Sequence, residues 1–302
     1  MDSFLFRKFK ASLDDPEVYQ QHGNHILLRK LKATIPVILS APHGGGDRNF
    51  PTGTVNTMKV RPPGGKNVSM KSDLWTLQML ASIDQKIFEL CGQRCYVVAA
   101  NVHRRYVDAN RNNAVASDEN AHHPDCEESK AYYSQYHSCL QQAIEDCALR
   151  HPDAPCALLL DVHGQATFGD MVVLGTQNRR TCGVFDRAAD SVRRTALVDL
   201  PLRGFIWHCH SLLGRVVLPH HGDEDIFPYR GGHIVCKYGT QEQEEQPRET
   251  VVPVSAVQLE FGSSLRSDST LRGECLCEHV YNVPFHSVLC ISFSYQHKYS
   301  PS

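Results

Sequence analysis

Apolar runs alternate with longer amphipathic stretches along the chain. Residues 35–41 (IPVILSA), 95–101 (CYVVAAN), 158–160 at the head of LLLDVHG, 171–175 (MVVLG) and 254–261 (VSAVQLEF) have little or no polar alternation. A sheet covered on both faces requires such runs. Residues 74–90 place Leu77, Leu80, Ile83, Ile87 and Leu90 on one helical face, opened by Ser72-Asp73 and stopped by Gly92. A second long helix is predicted over 129–150, ended by His151-Pro152, and a third over 184–195. Residues 27–31 read as an edge strand after a peripheral start, 287–293 as a final strand, and the segment bracketed by 228–232 and 238–239 as a hairpin strand. Strands alternating with helices predict an α/β fold: one domain over 1–302 with a mixed, mainly parallel sheet flanked by helices on both faces. Its core is expected at about 35–295, with 200–250 as an elaboration. The Gly-, Pro- and Asn-rich stretch 44–72 is a long loop of the kind that carries function.

Composition narrows this picture. The 302 residues are 41% hydrophobic and 21% charged, which fits a globular protein, and the formal net charge of -2 argues against a nucleic-acid partner. No apolar run reaches membrane-spanning length, so no membrane partner is expected. The first fifteen residues lack an apolar core with a small-residue cleavage site, which predicts a cytoplasmic protein. The 12 cysteines are scattered, many in apolar or helical context, and read as reduced thiols. Cys275 and Cys277 form the one close pair, with no second pair to complete a zinc knuckle. Oligomeric state is not legible.

Two strands end in a histidine beside glycine: His43 after 35–41, and His163 at the end of LLLDVHG. Hydrolytic zinc takes three nitrogen or carboxylate ligands and leaves a place for water. Delivering two histidines to one sheet edge assembles such a site from distant sequence. The third ligand is Asp73, whose position at a helix start lets its carboxylate turn back, or else Asp47; a helix cap is the other use for Asp73. Asp161 is placed to orient His163. In Asp108-Ala109-Asn110-Arg111, an arginine beside an amide donor suits a bidentate grip on a carboxylate, unless the tetrapeptide is a surface turn. Arg105 offers a second positive group for substrate or an oxyanion. Glu260, an acid in an apolar strand, suits a general base, or lies in solvent past the strand end. His137, one helical turn from Tyr133, either reaches the pocket or packs; the HHGDED run at 220–225 is a charge cluster or a lid.

In this order, APHGGG at 41–46, SDLWT at 72–76, RRYVDANR at 104–111, YH at 136–137, LLDVHG at 159–164, PYRGGHI at 228–234 and VQLEFG at 257–262 resemble the N-formylglutamate amidohydrolase family, itself similar to the zinc carboxypeptidases, over residues 35 to 265. The resemblance implies that Asn110 and Arg111 hold the substrate carboxylate, with His137 and Arg230 also in the binding set. It implies His163 as strand-end ligand and Glu260 as catalytic glutamate. Carboxypeptidases place a glutamate three residues after the first histidine. Gly46 occupies that spacing here, and the insertion after His43 puts Asp73 where that glutamate begins its helix.

The expectation is a cytoplasmic, zinc-dependent amidohydrolase cleaving an N-acyl amino acid such as N-formylglutamate. Zinc would be held by His43, Asp73 and His163, Glu260 would serve as base, and Arg111 with Asn110 would bind the carboxylate. The alternatives are a zinc carboxypeptidase acting on peptide C-termini and an inactive binding or scaffold protein with the same fold.

Overall fold

The computed structural model describes residues 17–21, 24–45, 58–62, 69–113, 120–154, 156–177, 180–182, 216–217, 229–239 and 252–267. Its strands are β1 (Glu17–Gln21), β2 (Asn24–Arg29), β3 (Val37–Ala41), β4 (Tyr96–Ala100), β5 (Ala157–Gly164), β6 (Val172–Gly175), β7 (Val216–Val217) and β8 (Val254–Phe261). The helices are α1 (Thr76–Cys91), α2 (Glu127–Arg150), α3 (His233–Tyr238) and α4 (Ser263–Ser267). All eight strands join one sheet in the order β1-β2-β4-β3-β5-β8-β6-β7. The centre, β4-β3-β5-β8, is parallel, while β1, β2 and β6 add antiparallel pairings. This is the mixed, mainly parallel α/β sheet expected.

Alternation along the central strands divides the core between the two faces. Leu39, Leu158, Leu160, Val257 and Leu259 pack with Leu77, Leu80, Ile83 and Ile87 of α1. Ile38, Val98, Leu159 and Ala256 face the other way, against Tyr132, Tyr136, Leu140 and Ile144 of α2. Four of the five predicted apolar positions of α1 therefore lie in the core; the side chain of Leu90 is outside the described residues.

Two predicted elements differ. The strand expected at 27–31 runs Asn24–Arg29 and is not at the edge, because β1, formed by a polar stretch, pairs outside it. Such a stretch suits an edge, where one row of backbone groups faces water. The hairpin strand expected between 228–232 and 238–239 is instead α3. Ile234, Val235 and Tyr238 fall at helical spacing and are buried together in the α2 layer, which a strand there would not achieve. The predicted helix at 184–195, the strand at 287–293, the HHGDED run and the Cys275–Cys277 pair lie outside the described residues. Of the elaboration at 200–250, β7 and α3 with its approach are described. Among the described residues eight cysteines stand outside any disulfide and no helix is long and apolar enough to cross a membrane.

Candidate metal centre

On the α2 face the central strands change character toward their C-terminal ends. Ile38, Leu159 and Ala256 are apolar; the next same-face positions are Ser40, Asp161 and Gln258, and the next on β5 and β8 are His163 and Glu260. Register places Ser40 beside Asp161, Asp161 beside Gln258, and His163 beside Glu260. His43 follows β3 by two residues and is fully buried.

His43, Asp73 and His163 converge, with one ligand-type atom from each lying within 4.8 Å of the others. The His43 Nε2–H donates to Asp108 Oδ1 at 2.6 Å, and the His163 Nε2–H donates to Asp161 Oδ2 at 2.7 Å. With each Nε2 committed, both Nδ1 atoms point at one oxygen, Asp73 Oδ2, at 3.2 and 3.1 Å. Three electron-rich atoms facing each other in a buried site are held together only by positive charge between them, from protons on the rings or from a cation. Two imidazole nitrogens and a carboxylate oxygen form a zinc-type donor set. Carboxylates behind both rings fix the ring orientations. The residues present therefore fit a metal of this class. Asp161→Asn, which weakens the acceptor behind His163, is expected to reduce metal affinity about 10- to 100-fold without unfolding the chain; unchanged affinity in a chelator competition would discount this support.

Asp73 reaches the cluster because it does not cap α1. Its backbone N–H donates to the His43 carbonyl at 3.1 Å, and the residue entering the helix is Trp75, in the left-handed region at φ 74°. That turn delays the helix and leaves the carboxylate free to face the histidines. The Gly164 N–H donates to the same Oδ2 at 3.2 Å, and Arg104 lies 3.6 Å from Oδ1. Burial acts to raise the Asp73 carboxyl, but hydrogen bonds from His163 and His43 and the nearby positive charges hold it far below the usual carboxylate range. Burial alone would lower His163; Asp161 and Asp73 instead lift it to about 10. Glu260 moves up, through burial and the charge of Asp73, against the pull of His163.

Other expected site residues are distributed as follows. Glu260 is 6% exposed and within β8, not in solvent beyond it; its Oε1 accepts from Gln258 Nε2 at 2.6 Å. The Asn110 amide is engaged by protein groups, with Oδ1 accepting from the Ile234 N–H at 2.9 Å and Nδ2 donating to Gln258 Oε1 at 3.2 Å. Arg111 donates to the Asn110 carbonyl at 3.1 Å and keeps 21% of its side chain exposed. Arg105 turns away to cover the Tyr106 ring at 4.8 Å; its neighbour Arg104 stands at the cluster and bonds Asp108 Oδ2 at 2.7 Å. Arg230 is exposed at the turn before α3. Asp47 lies outside the described residues.

His137 packs beneath this segment. Its Nε2–H donates to the Ala109 carbonyl at 3.1 Å and the Tyr238 hydroxyl donates to its Nδ1 at 2.9 Å. Burial, with Lys237 and His233 nearby, lowers it from 6.5 to about 3. The unfolded chain therefore binds the proton first: His137 contributes stability in full above pH 6.5, and that stability is lost as the pH falls toward 3. The slope is about 1.4 kcal/mol per pH unit. Urea unfolding between pH 6.5 and 4 is expected to show a shallower pH dependence in His137→Gln; equal slopes would refute the assignment.

Several participants were given no role of their own from sequence. Asp108 orients His43 while balancing Arg104, Arg61 and Arg111; a lone acid with arginines three and four residues away is the available signal. Ser40 donates to Asp161 and is bonded to the Tyr136 hydroxyl at 3.0 Å, and the hydroxyl inside an apolar strand was its mark. Gln258 precedes Glu260 by one strand repeat. The glycines beside the histidines leave room for neighbouring protein groups. A Cβ on Gly44 would meet the Leu77 side chain at 2.3 Å, and one on Gly164 the Arg266 guanidinium at 2.4 Å.

No protein-family model and no curated protein matches the chain. Among solved structures it is similar to the crystal structure of an N-formylglutamate amidohydrolase from Ralstonia eutropha JMP134, with 15% identity and a TM-score of 0.51 over 91% of this chain and 99% of that one. It also matches gene product Atu2144 from Agrobacterium tumefaciens, with 12% identity and a TM-score of 0.47 over 91% and 97% of the two chains. At 15% identity the first likeness establishes the fold.

Proposed function

We propose that this chain is a single-domain, cytoplasmic, zinc-dependent amidohydrolase that cleaves the amide bond of an N-acyl amino acid, with N-formylglutamate the type of substrate. One observation carries the reading: two imidazoles backed by buried carboxylates turn their Nδ1 atoms onto the carboxylate oxygen of Asp73. The likeness of fold to an N-formylglutamate amidohydrolase supports the choice of reaction.

His43, Asp73 and His163 would hold the zinc, which when bound supplies a polarising charge and makes water more acidic. Glu260, on the strand beside His163, would take a proton from the attacking water and return it to the amine nitrogen as the carbon–nitrogen bond breaks. Its raised proton affinity suits that role, and Gln258 fixes its orientation. Arg104, rather than Arg105, would meet the carbonyl oxygen as it gains negative charge, a role that its place 3.6 Å from Asp73 supports. Arg111 would meet the substrate carboxylate, with Asn110 holding Arg111 in place through its carbonyl.

The test is elemental analysis of chelator-free protein, paired with formate and amino acid release from N-formyl amino acids. About one zinc per chain with formate release is expected. Zinc with release of the last residue from a blocked dipeptide, and no formate, would convert the reading to a carboxypeptidase. Neither metal nor turnover would overturn it and leave a binding protein with this fold.

A further inference from the structure

Arg266 takes no part in the chemistry above, yet it is buried behind the centre at 8% exposure. It belongs to α4, the short helix that follows β8 directly. Its guanidinium donates to three backbone carbonyls: Nε to Phe261 at 3.0 Å, one terminal nitrogen to Leu74 at 2.6 Å and the other to Gln165 at 3.1 Å. Each carbonyl belongs to a different segment of the centre. Leu74 adjoins Asp73, Gln165 lies two residues after His163, and Phe261 adjoins Glu260. Gly164 has no side chain where the guanidinium crosses, since a Cβ would sit 2.4 Å from its central carbon. Burial lowers the proton affinity of the guanidinium, and the Asp73 and Glu260 charges act against that burial.

We propose that Arg266 is a positioning residue that locks the Asp73 segment to the ends of β5 and β8, and so sets the spacing of metal ligands and base. A planar fork with five N–H donors can serve three carbonyls at once; a lysine ammonium on a flexible stem cannot hold the same three segments together. The effect on metal and turnover rests on the proposed function, whereas the effect on the backbone does not.

The experiment compares wild type, Arg266→Lys and Arg266→Ala with a control, Arg29→Lys. Arg29 is another buried arginine, bonded to the Cys95 carbonyl before β4 and so at the opposite end of the sheet. Zinc affinity is read by chelator competition, and amide hydrogen exchange is followed over residues 72–76, 163–166 and α2. Arg266→Lys is expected to weaken zinc binding about 10- to 100-fold, speed exchange at 72–76 and 163–166 but not in α2, and lower kcat with KM unchanged. Methylguanidinium is expected to restore part of the zinc affinity of Arg266→Ala. Arg29→Lys is expected to lower the melting temperature and leave zinc affinity intact. Wild-type zinc affinity and wild-type exchange in Arg266→Lys would overturn the proposal. If wild type itself binds no zinc, the proposed function falls, and exchange alone decides Arg266: acceleration confined to the two segments upholds the lock, and its absence refutes it. Should Arg266→Ala fail to fold, the lysine variant carries the comparison.

Discussion

Replacing Glu260 with glutamine is expected to lower kcat by about 10²–10⁴-fold while the metal content stays at its wild-type value. The substitution keeps the shape of the side chain and removes its ability to take up a proton. Glu260 is a β8 residue, buried on the face that also carries His163 and oriented by the Gln258 amide, so the backbone and its neighbours have no reason to move. The two readouts separate roles. Loss of activity with metal retained is the signature of a base. Loss of both would place Glu260 among the ligands, and retention of both would remove it from the chemistry. Burial and the charge of Asp73 raise the Glu260 carboxyl, so the acid limb of kcat/KM should lie above its ordinary value of 4.5.

Asp73→Asn is expected to abolish metal binding and turnover together. Asparagine preserves the volume and the backbone bond to His43, and changes only the charge at the oxygen where both Nδ1 atoms converge. In wild type that carboxylate is held deprotonated by the two rings and by Arg104, so the cluster keeps an anionic oxygen at neutral pH. Elemental analysis of the purified variant decides the matter. Near-complete loss of metal, with the melting transition retained, supports Asp73 as the third ligand. Full retention would return that role to Asp47, the other acid suggested by the sequence.

The sheet was largely legible from sequence because its central strands are buried on both faces and read as unbroken apolar runs. The strand ends were legible for the converse reason. Asp161, His163 and Glu260 are polar residues in buried register, a placement that needs a partner or a task. Arg104 and Arg105 were not separable by residue type, since adjacent residues differ only in direction and direction depends on the backbone after β4. Asn110 looked free because its amide is taken up by Ile234 and Gln258, more than a hundred residues away in the chain. The segment carrying Ile234 was misread as a strand because six residues, His233–Tyr238, are too short for periodicity to distinguish the two forms. Arg266 was invisible for a similar reason: its partners are backbone carbonyls, which no residue type announces.

The chain distances within the centre determine when it forms. Asp73 lies 30 residues from His43 but 90 from His163, and the rings meet only once β5 has paired beside β3. Glu260 arrives with β8, the last of the described strands in chain order. Closing such separations costs loop entropy before any contact rewards it, which makes the site a late product of folding rather than its nucleus. A metal ion supplied to the unfolded chain has no assembled cage to find. Under the proposed function, metal uptake during refolding would report completion of the sheet.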